Sequence, residues 1–230
     1  MSIGNRIYTS IDRPGKELVE AFRGIPSSNV GDMMNRLYCM RQYLRRIGST
    51  EKQLLGTAFT VRVPDGDNAF LHMALDLAEP GDILVVDGSG CMSRALMGEI
   101  MFTYAQNKGI AGIIIDGAIR DNDSLKRLEI PVYAAAITPQ GPFKNGPGEI
   151  NVPVACGGQV VFPGDILIGD ADGVCVVRKE EAPALVEAVQ KKHLSEEVKL
   201  HQYHTAGNDS EAHQKAYQAV RDAIQTEMID

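Results

Sequence analysis

The sequence contains no tryptophan, and aromatic residues make up 6% of its 230 positions. Proteins that bind single-stranded nucleic acid stack bases on aromatic side chains, so that class has little to build on here. Basic residues are also in deficit, 23 against 30 acidic, for a formal net charge of −7. Gripping a phosphate backbone needs a clustered basic surface, which argues against a nucleic-acid partner. No run approaches the ~18 consecutive apolar residues of a membrane-crossing helix, so no membrane partner is expected. The opening stretch MSIGNRIYTSIDRPGKE lacks the apolar centre of a secretory signal. The expectation is a cytoplasmic protein. Its four cysteines, Cys39, Cys91, Cys156 and Cys175, form no CxxC, so neither a zinc site nor a redox pair is expected. They read as semi-buried thiols in a reducing compartment.

What is present is an ordinary globular mixture, 44% hydrophobic, long enough to bury a core without covalent staples. Roughly 15–45 reads as helical, with Ser27-Ser28-Asn29 offering cap oxygens before the stripe Val30, Met33, Met34, Leu37. Leu54–Val63 is β-rich and ends at the turn cluster Pro64–Asp67, and Asn68–Ala78 resumes a helical pattern. A strand over Ile83–Asp87, a helix over Gly98–Lys108 and a strand over Ile110–Asp116 follow. Gly117–Asp121 reads as a loop, then a short helix capped by Asp123 or Ser124, then a strand over Pro131–Ile137. Asn151–Val177 is wholly β, and Glu180–Leu200 is helical. PGDILVVDGSG (80–90) and PGDILIGDADG (163–173) agree at seven of eleven positions. A good turn feeding a good strand, used twice, explains this without duplication. The order predicts an α/β layered domain with a β-rich second half, one domain over 1–200 and a polar helical extension over 201–230. That extension holds His201, His204 and His213, which read as solvated rather than metal-binding.

Two loops could carry chemistry. Gly88-Ser89-Gly90 follows a strand, but Ser93 stands where a dinucleotide loop needs its third glycine. The stronger candidate is Asp116–Asp121 at the carboxyl end of a buried strand, where open α/β sheets bind ligands. Arg120 is suited to gripping a carboxylate, and a lone Asp with waters is a usual arrangement for Mg²⁺. The preceding helix, running antiparallel to that strand, returns its first residues Gly98, Glu99, Ile100 and Met101 to the same place. Free N–H groups there suit an anion. His72 is open to two readings, a residue lining the site or, the favoured one, a hydrogen-bonded structural histidine.

These stretches resemble the RraA-like family, which includes class II 4-hydroxy-4-methyl-2-oxoglutarate / 4-carboxy-4-hydroxy-2-oxoadipate aldolases. The resemblance rests on Glu99 followed twenty residues later by Arg120-Asp121, supported by GTAFTVRVPDGDN (56–68), GIAGIIIDGAIRD (109–121) and VACGGQVVFPGDILIGDADGVCVV (154–177). It implies an α/β/α sandwich with a barrel-like portion, assembled as trimers or hexamers. It implies Mg²⁺ or Mn²⁺ at Asp121, and a small 2-oxo acid substrate bound by Arg120 and by amides near Gly98, Ile100 and Met101. Glu99 would orient a water serving as base and acid, and Glu196 or Glu197 of a neighbouring subunit would approach the site. The reaction implied is cleavage of a 4-hydroxy-2-oxo acid to pyruvate, with oxaloacetate decarboxylation alongside. One departure is Glu99 itself, where the best-studied aldolases carry Asp; the extra methylene would shift the water it orients by about 1 Å, enough to alter rate or substrate. The family also contains non-catalytic inhibitors of a ribonuclease, and its name is sometimes attached to a methyltransferase, a reading the broken glycine loop does not support.

Overall fold

Ile113, Ile114 and Ile115 are consecutive and all fully buried, which a strand achieves only when both faces of its sheet are covered. The computed structural model describes residues 3–206 and 211–224. The chain runs β1 (Asn5–Ile7), α1 (Lys16–Glu20), α2 (Ser27–Met33), β2 (Arg45–Ile47), β3 (Leu54–Arg62), α3 (Ala69–Leu77), β4 (Asp82–Met97), α4 (Glu99–Lys108) and β5 (Gly112–Ile119). It continues through α5 (Asn122–Leu125), β6 (Val132–Ile137), β7 (Gly148–Ile150), β8 (Val154–Cys156), β9 (Gln159–Val161), β10 (Ile166–Gly169), β11 (Val174–Val177), α6 (Ala182–Ala206) and α7 (Glu211–Ile224).

The result is the expected mixed α/β fold. Strands β3, β4, β5 and β6 form a parallel centre. Antiparallel partners flank it: β2 on β6, and β7 and β10 on β3. Helices α3, α4 and α5 cover one face through Phe70, Leu71, Phe102 and Leu125. The other face is closed by Met40, Leu44 and the β8–β9 hairpin over Ile83, Val85 and Ile114. A third cluster seats α1, α2 and α6 on β10 and β11. Each buried Ile, Leu or Phe contributes about 1.5–3 kcal/mol over its exposed state.

Several local expectations are corrected. The 15–45 segment is broken twice: at Gly24 (φ +76°) followed by Pro26, and at Asn35 and Arg36, both with positive φ. Ser27 does not cap α2 with its side chain. Asp170, from the β10–β11 turn, instead accepts the Ser27 N–H and Oγ–H, each at 2.7 Å. The presumed loop 117–121 is mostly strand, since β5 runs on to Ile119; its pairing with β4 continues past three irregularities. For the same reason Gly88-Ser89-Gly90 lies inside β4 and opens no helix. Helix α5 begins at Asn122, with Asp121 at its N-cap, earlier than Asp123 or Ser124 would place it. The two Pro-Gly-Asp turns are built alike: Asp82 accepts the Glu79 N–H and Asp165 the Phe162 N–H, both at 2.8 Å. Their strands flank β3 in opposite senses, one parallel and one antiparallel. The 201–230 extension is helical over its described residues, as α7 and the end of α6, and residues 207–210 and 225–230 lie outside the description. Among the described residues no helix is long and apolar enough to cross a membrane.

Asp82 is almost fully buried and held by the Arg13 fork at 2.8 and 2.9 Å. Removing one partner of such a pair strands the other charge in the core. Arg13→Ala is therefore expected to destabilise the fold by about 3 kcal/mol in urea denaturation, far beyond the ~0.5 kcal/mol of an ordinary surface substitution.

Candidate active site

A cavity of about 180 Å³ opens where the carboxyl ends of β4 and β5 meet α3 and α4. Its lining includes Asn68, His72, Gly98, Ile100, Met101, Arg120, Asp121 and Lys144. Five of the six expected site positions thus line one opening; the sixth, Glu99, is absent from the lining.

The strand ends set the geometry. The Arg120 N–H donates to the Met97 carbonyl at 3.0 Å, so Arg120 and Gly98 leave the sheet side by side. Asp121 then adopts a left-handed backbone (φ +62°), which turns the chain sharply into α5. Its Oδ2 accepts the Glu99 N–H at 2.9 Å and lies 3.6 Å from Arg120 Nε. The carboxylate therefore sits on the first turn of α4, where the helix dipole favours negative charge. Gly98 makes this close approach possible. A Cβ there would collide with Asp121 Oδ2 and come within 2.9 Å of Arg120 Nε.

The amides behave differently from one another. Glu99 N–H is spent on Asp121, and Met101 N–H on the Gly98 carbonyl at 3.0 Å. Ile100 N–H has no acceptor among the described residues. Met101 contributes its side chain, with Sδ 3.6 Å from Asn68 Nδ2. The Glu99 carboxylate turns away from the cavity and pairs with Arg127 of α5 at 3.2 Å. Glu196 is committed within its own chain to Lys192 (2.6 Å) and Asn29 (2.7 Å), which, Lys192 foremost, hold its carboxyl below the usual range. Glu197 is exposed, with His193 at 3.6 Å.

Sequence reasoning missed Asn68 and Lys144. Asn68 stands at the N-cap position of α3, but its Nδ2 donates to the Leu96 carbonyl at 2.8 Å. Its Oδ1 is buried with no partner among the described residues, an unsatisfied acceptor on a residue that lines the cavity. Lys144 arrives on the 141–145 loop, pinned by Asp67, whose carboxylate accepts from Ala69 N–H (2.9 Å) and Asn145 N–H (2.6 Å). The DGDN segment carried the signal, a buried Asp and Asn side by side ahead of a helix. His72 lines the cavity, and its imidazole makes no hydrogen bond among the described residues; only its backbone N–H is engaged, by the Asn68 carbonyl at 3.4 Å. Burial first, and then the Lys144 charge, push its pKa below the usual histidine value, so it is neutral at pH 7.

Asp121 is the sole carboxylate on the lining, and its Oδ1 has no donor among the described residues. Among the described residues no three His, Cys, Asp or Glu side chains gather into a protein-only metal cage. A single carboxylate in a cleared niche fits a hard cation that keeps several waters.

The comparisons decide the family. The profile of the RraA-like family, described as Aldolase/RraA, matches residues 27–176. A protein of Halalkalibacterium halodurans bearing the provisional name 4-hydroxy-4-methyl-2-oxoglutarate aldolase is 36% identical over 183 residues, covering 80% of this chain and 87% of its own. The chain belongs to the RraA-like family. Among solved structures, Streptomyces coelicolor RraAS2, described as an unusual member of the RNase ES inhibitor RraA family, matches with TM-score 0.74 and 28% identity, over 83% of this chain and 98% of its own. A Geobacillus kaustophilus protein titled S-adenosylmethionine: 2-dimethylmenaquinone methyltransferase matches with TM-score 0.62 and 31% identity, over 67% and 95%.

The His72 environment is testable by itself. An NMR titration of the imidazole should give a pKa below the usual ~6.5. Lys144→Ala, by removing a positive neighbour, should raise it. A value that does not move would mean that the two side chains do not share the cavity.

Proposed function

We propose that this RraA-like protein is a lyase that cleaves a 4-hydroxy-2-oxo acid to pyruvate and a carbonyl compound. Mg²⁺ or Mn²⁺ would be held at Asp121, and oxaloacetate decarboxylation would accompany the main reaction. The observation that carries this reading is the juxtaposition of Arg120 and Asp121 over the glycine clearance at Gly98, on the rim of a small cavity. The name of the Halalkalibacterium relative supports it. When bound, the cation supplies Lewis-acid polarisation of the 2-oxo group.

The chain's own residues do the rest. The Arg120 fork binds the pyruvoyl end and balances the charge that develops as the C3–C4 electrons move onto the 2-oxygen. Ile100 N–H, at the start of α4, takes a carboxylate oxygen. The buried Asn68 Oδ1 accepts a hydrogen bond from the 4-hydroxyl, which satisfies an otherwise orphaned acceptor. Lys144 pairs with a second carboxylate on the C4 side. As C3–C4 breaks, the 4-hydroxyl proton leaves through water toward Glu99, C4 becomes a carbonyl carbon, and C3 regains a proton by the reverse path. Oxaloacetate loses CO₂ from C3 and passes through the same enolate. Assembly as a trimer or hexamer would let Glu196 or Glu197 of a neighbouring copy close the opening, and Glu197 is the less committed of the two.

A second reading, inhibition of a ribonuclease, draws on the description of the Streptomyces neighbour. It requires a surface and gives no reason for a guanidinium, a carboxylate and an orphaned amide oxygen around one cavity.

Asp121→Asn is expected to lower kcat about 10²–10³-fold and to weaken Mn²⁺ binding by calorimetry at least about tenfold. A fully active variant would remove Asp121 from the mechanism. Lys144→Ala should raise KM for dicarboxylic substrates about 10–100-fold with kcat nearly unchanged, as expected for one lost charge-assisted contact made equally in ground and transition states.

A further inference from the structure

We propose that Cys39 and Cys175 are an oxidative modification site, forming a reversible intramolecular disulfide when the chain meets a hydroperoxide. The two residues face each other across an isolated antiparallel bridge. Met40 N–H donates to the Val174 carbonyl at 2.8 Å and Val176 N–H to the Tyr38 carbonyl at 3.0 Å, one step outside the pair on each side. Cys39 and Cys175 thus occupy a non-hydrogen-bonded position, where Cα atoms lie about 4.5 Å apart. That is within the ~4.4–6.8 Å a disulfide spans. The sulfurs are already 3.5 Å apart. Closing to a bond of about 2.05 Å needs only small side-chain rotations.

The surroundings leave room for it. Gly31 of α2 sits over both sulfurs, and a Cβ there would stand 2.8 Å from Cys39 Sγ and 3.4 Å from Cys175 Sγ. The pair is also asymmetric, with Cys39 exposed and Cys175 buried. Such an arrangement separates a sulfur that meets the oxidant from one that resolves the product. The other two cysteines do not match it. Cys91 Sγ faces Ser93 Oγ at 3.4 Å, and Cys156 is fully buried.

The chemistry balances in two steps. The Cys39 thiolate attacks the peroxide O–O bond, giving a sulfenic acid and releasing hydroxide or alkoxide, which is protonated by water. The Cys175 sulfur then attacks the Cys39 sulfur; the S–S bond forms, the S–O bond breaks, and the departing hydroxide leaves as water with the Cys175 proton. Two thiols are oxidised by two electrons and the peroxide is reduced by two. A dithiol reverses the change by exchange. Burial holds the Cys175 thiol protonated, so it waits until Cys39 has been oxidised. The disulfide would tie the 38–40 segment to β11. It would also end the hydrogen bond that Cys175 Sγ–H donates to the Ser27 carbonyl at 3.3 Å, one of the tethers of α2.

The test uses the full chain carrying Cys91→Ser, which removes the other partly exposed thiol and leaves three. It is treated with hydrogen peroxide, unfolded, alkylated and weighed intact, then mapped by peptide. The expected result is a fall from three alkylated thiols to one, a loss of about 2 Da in the protein before alkylation, a Cys39–Cys175 cross-linked peptide, and full recovery with dithiothreitol. Oxidation should also raise Tm, because a long loop is closed in the unfolded chain. A Cys175→Ser chain should instead stop at oxidised Cys39, heavier by about 16–32 Da. The proposal is overturned if the peptide map of the treated protein shows Cys39 climbing to the sulfinic acid while Cys175 remains alkylatable. A cross-link to Cys156, or one between two chains, overturns it equally.

Discussion

The site depends on β4 and β5 remaining paired past the point where most parallel neighbours part. Their ladder runs regularly from Ile83–Gly112 to Asp87–Asp116, slips three times, and still ends at Met97–Ile119. Each slip absorbs extra residues of β4, so that strand bends while its end stays on its partner. Gly98 and Arg120 emerge together as a consequence. One residue later the left-handed Asp121 folds back on the start of α4. A non-glycine residue at positive φ costs energy, and such positions concentrate at functional sites. Here the cost is offset by the Glu99 N–H that the carboxylate receives.

Buried carboxylates act as fasteners around this centre. Asp82 and Asp165 close equivalent turns on either side of β3; Asp82 takes Arg13 from 69 positions away, and Asp165 takes Arg178 from the end of β11, 13 positions on. Asp67 does the same for the loop that carries Lys144. Each carboxylate accepts backbone N–H groups as well as, in two cases, a guanidinium, which is what makes a buried charge tolerable. The acidic composition of the chain is thus partly internal, and the cavity it supports is lined by cations: Arg120 and Lys144 against the single acid Asp121. An anionic substrate and a divalent cation together match that lining.

The parallel centre was legible because its strands are continuous apolar runs: ILVV at 83–86 and IAGIII at 110–115 have no polar face to misread. The convergence of Gly98–Met101 with Arg120-Asp121 followed from helix and strand direction alone. The extra length of β4 was not legible, since GSGCMSR reads as a turn-rich loop and its pairing is imposed by β5. Nor were the breaks in 15–45, where Gly24 and Pro26 interrupt an otherwise helical stripe, or the cap of α2, which comes from Asp170 across 143 positions of sequence. Local pattern carries no information about such distant partners. Asn68 was hidden by its own plausibility, because an Asn before a helix reads as a cap until its side chain is seen to point elsewhere.

The most direct test of the account is pyruvate release by the purified protein from a panel of 4-hydroxy-2-oxo acids and oxaloacetate, followed by lactate dehydrogenase coupling, with Mg²⁺ and with EDTA. The account predicts pyruvate with the metal, none with the chelator, and faster turnover of substrates that carry a second carboxylate. Folded protein that yields no pyruvate from any member, yet inhibits a ribonuclease, would contradict it.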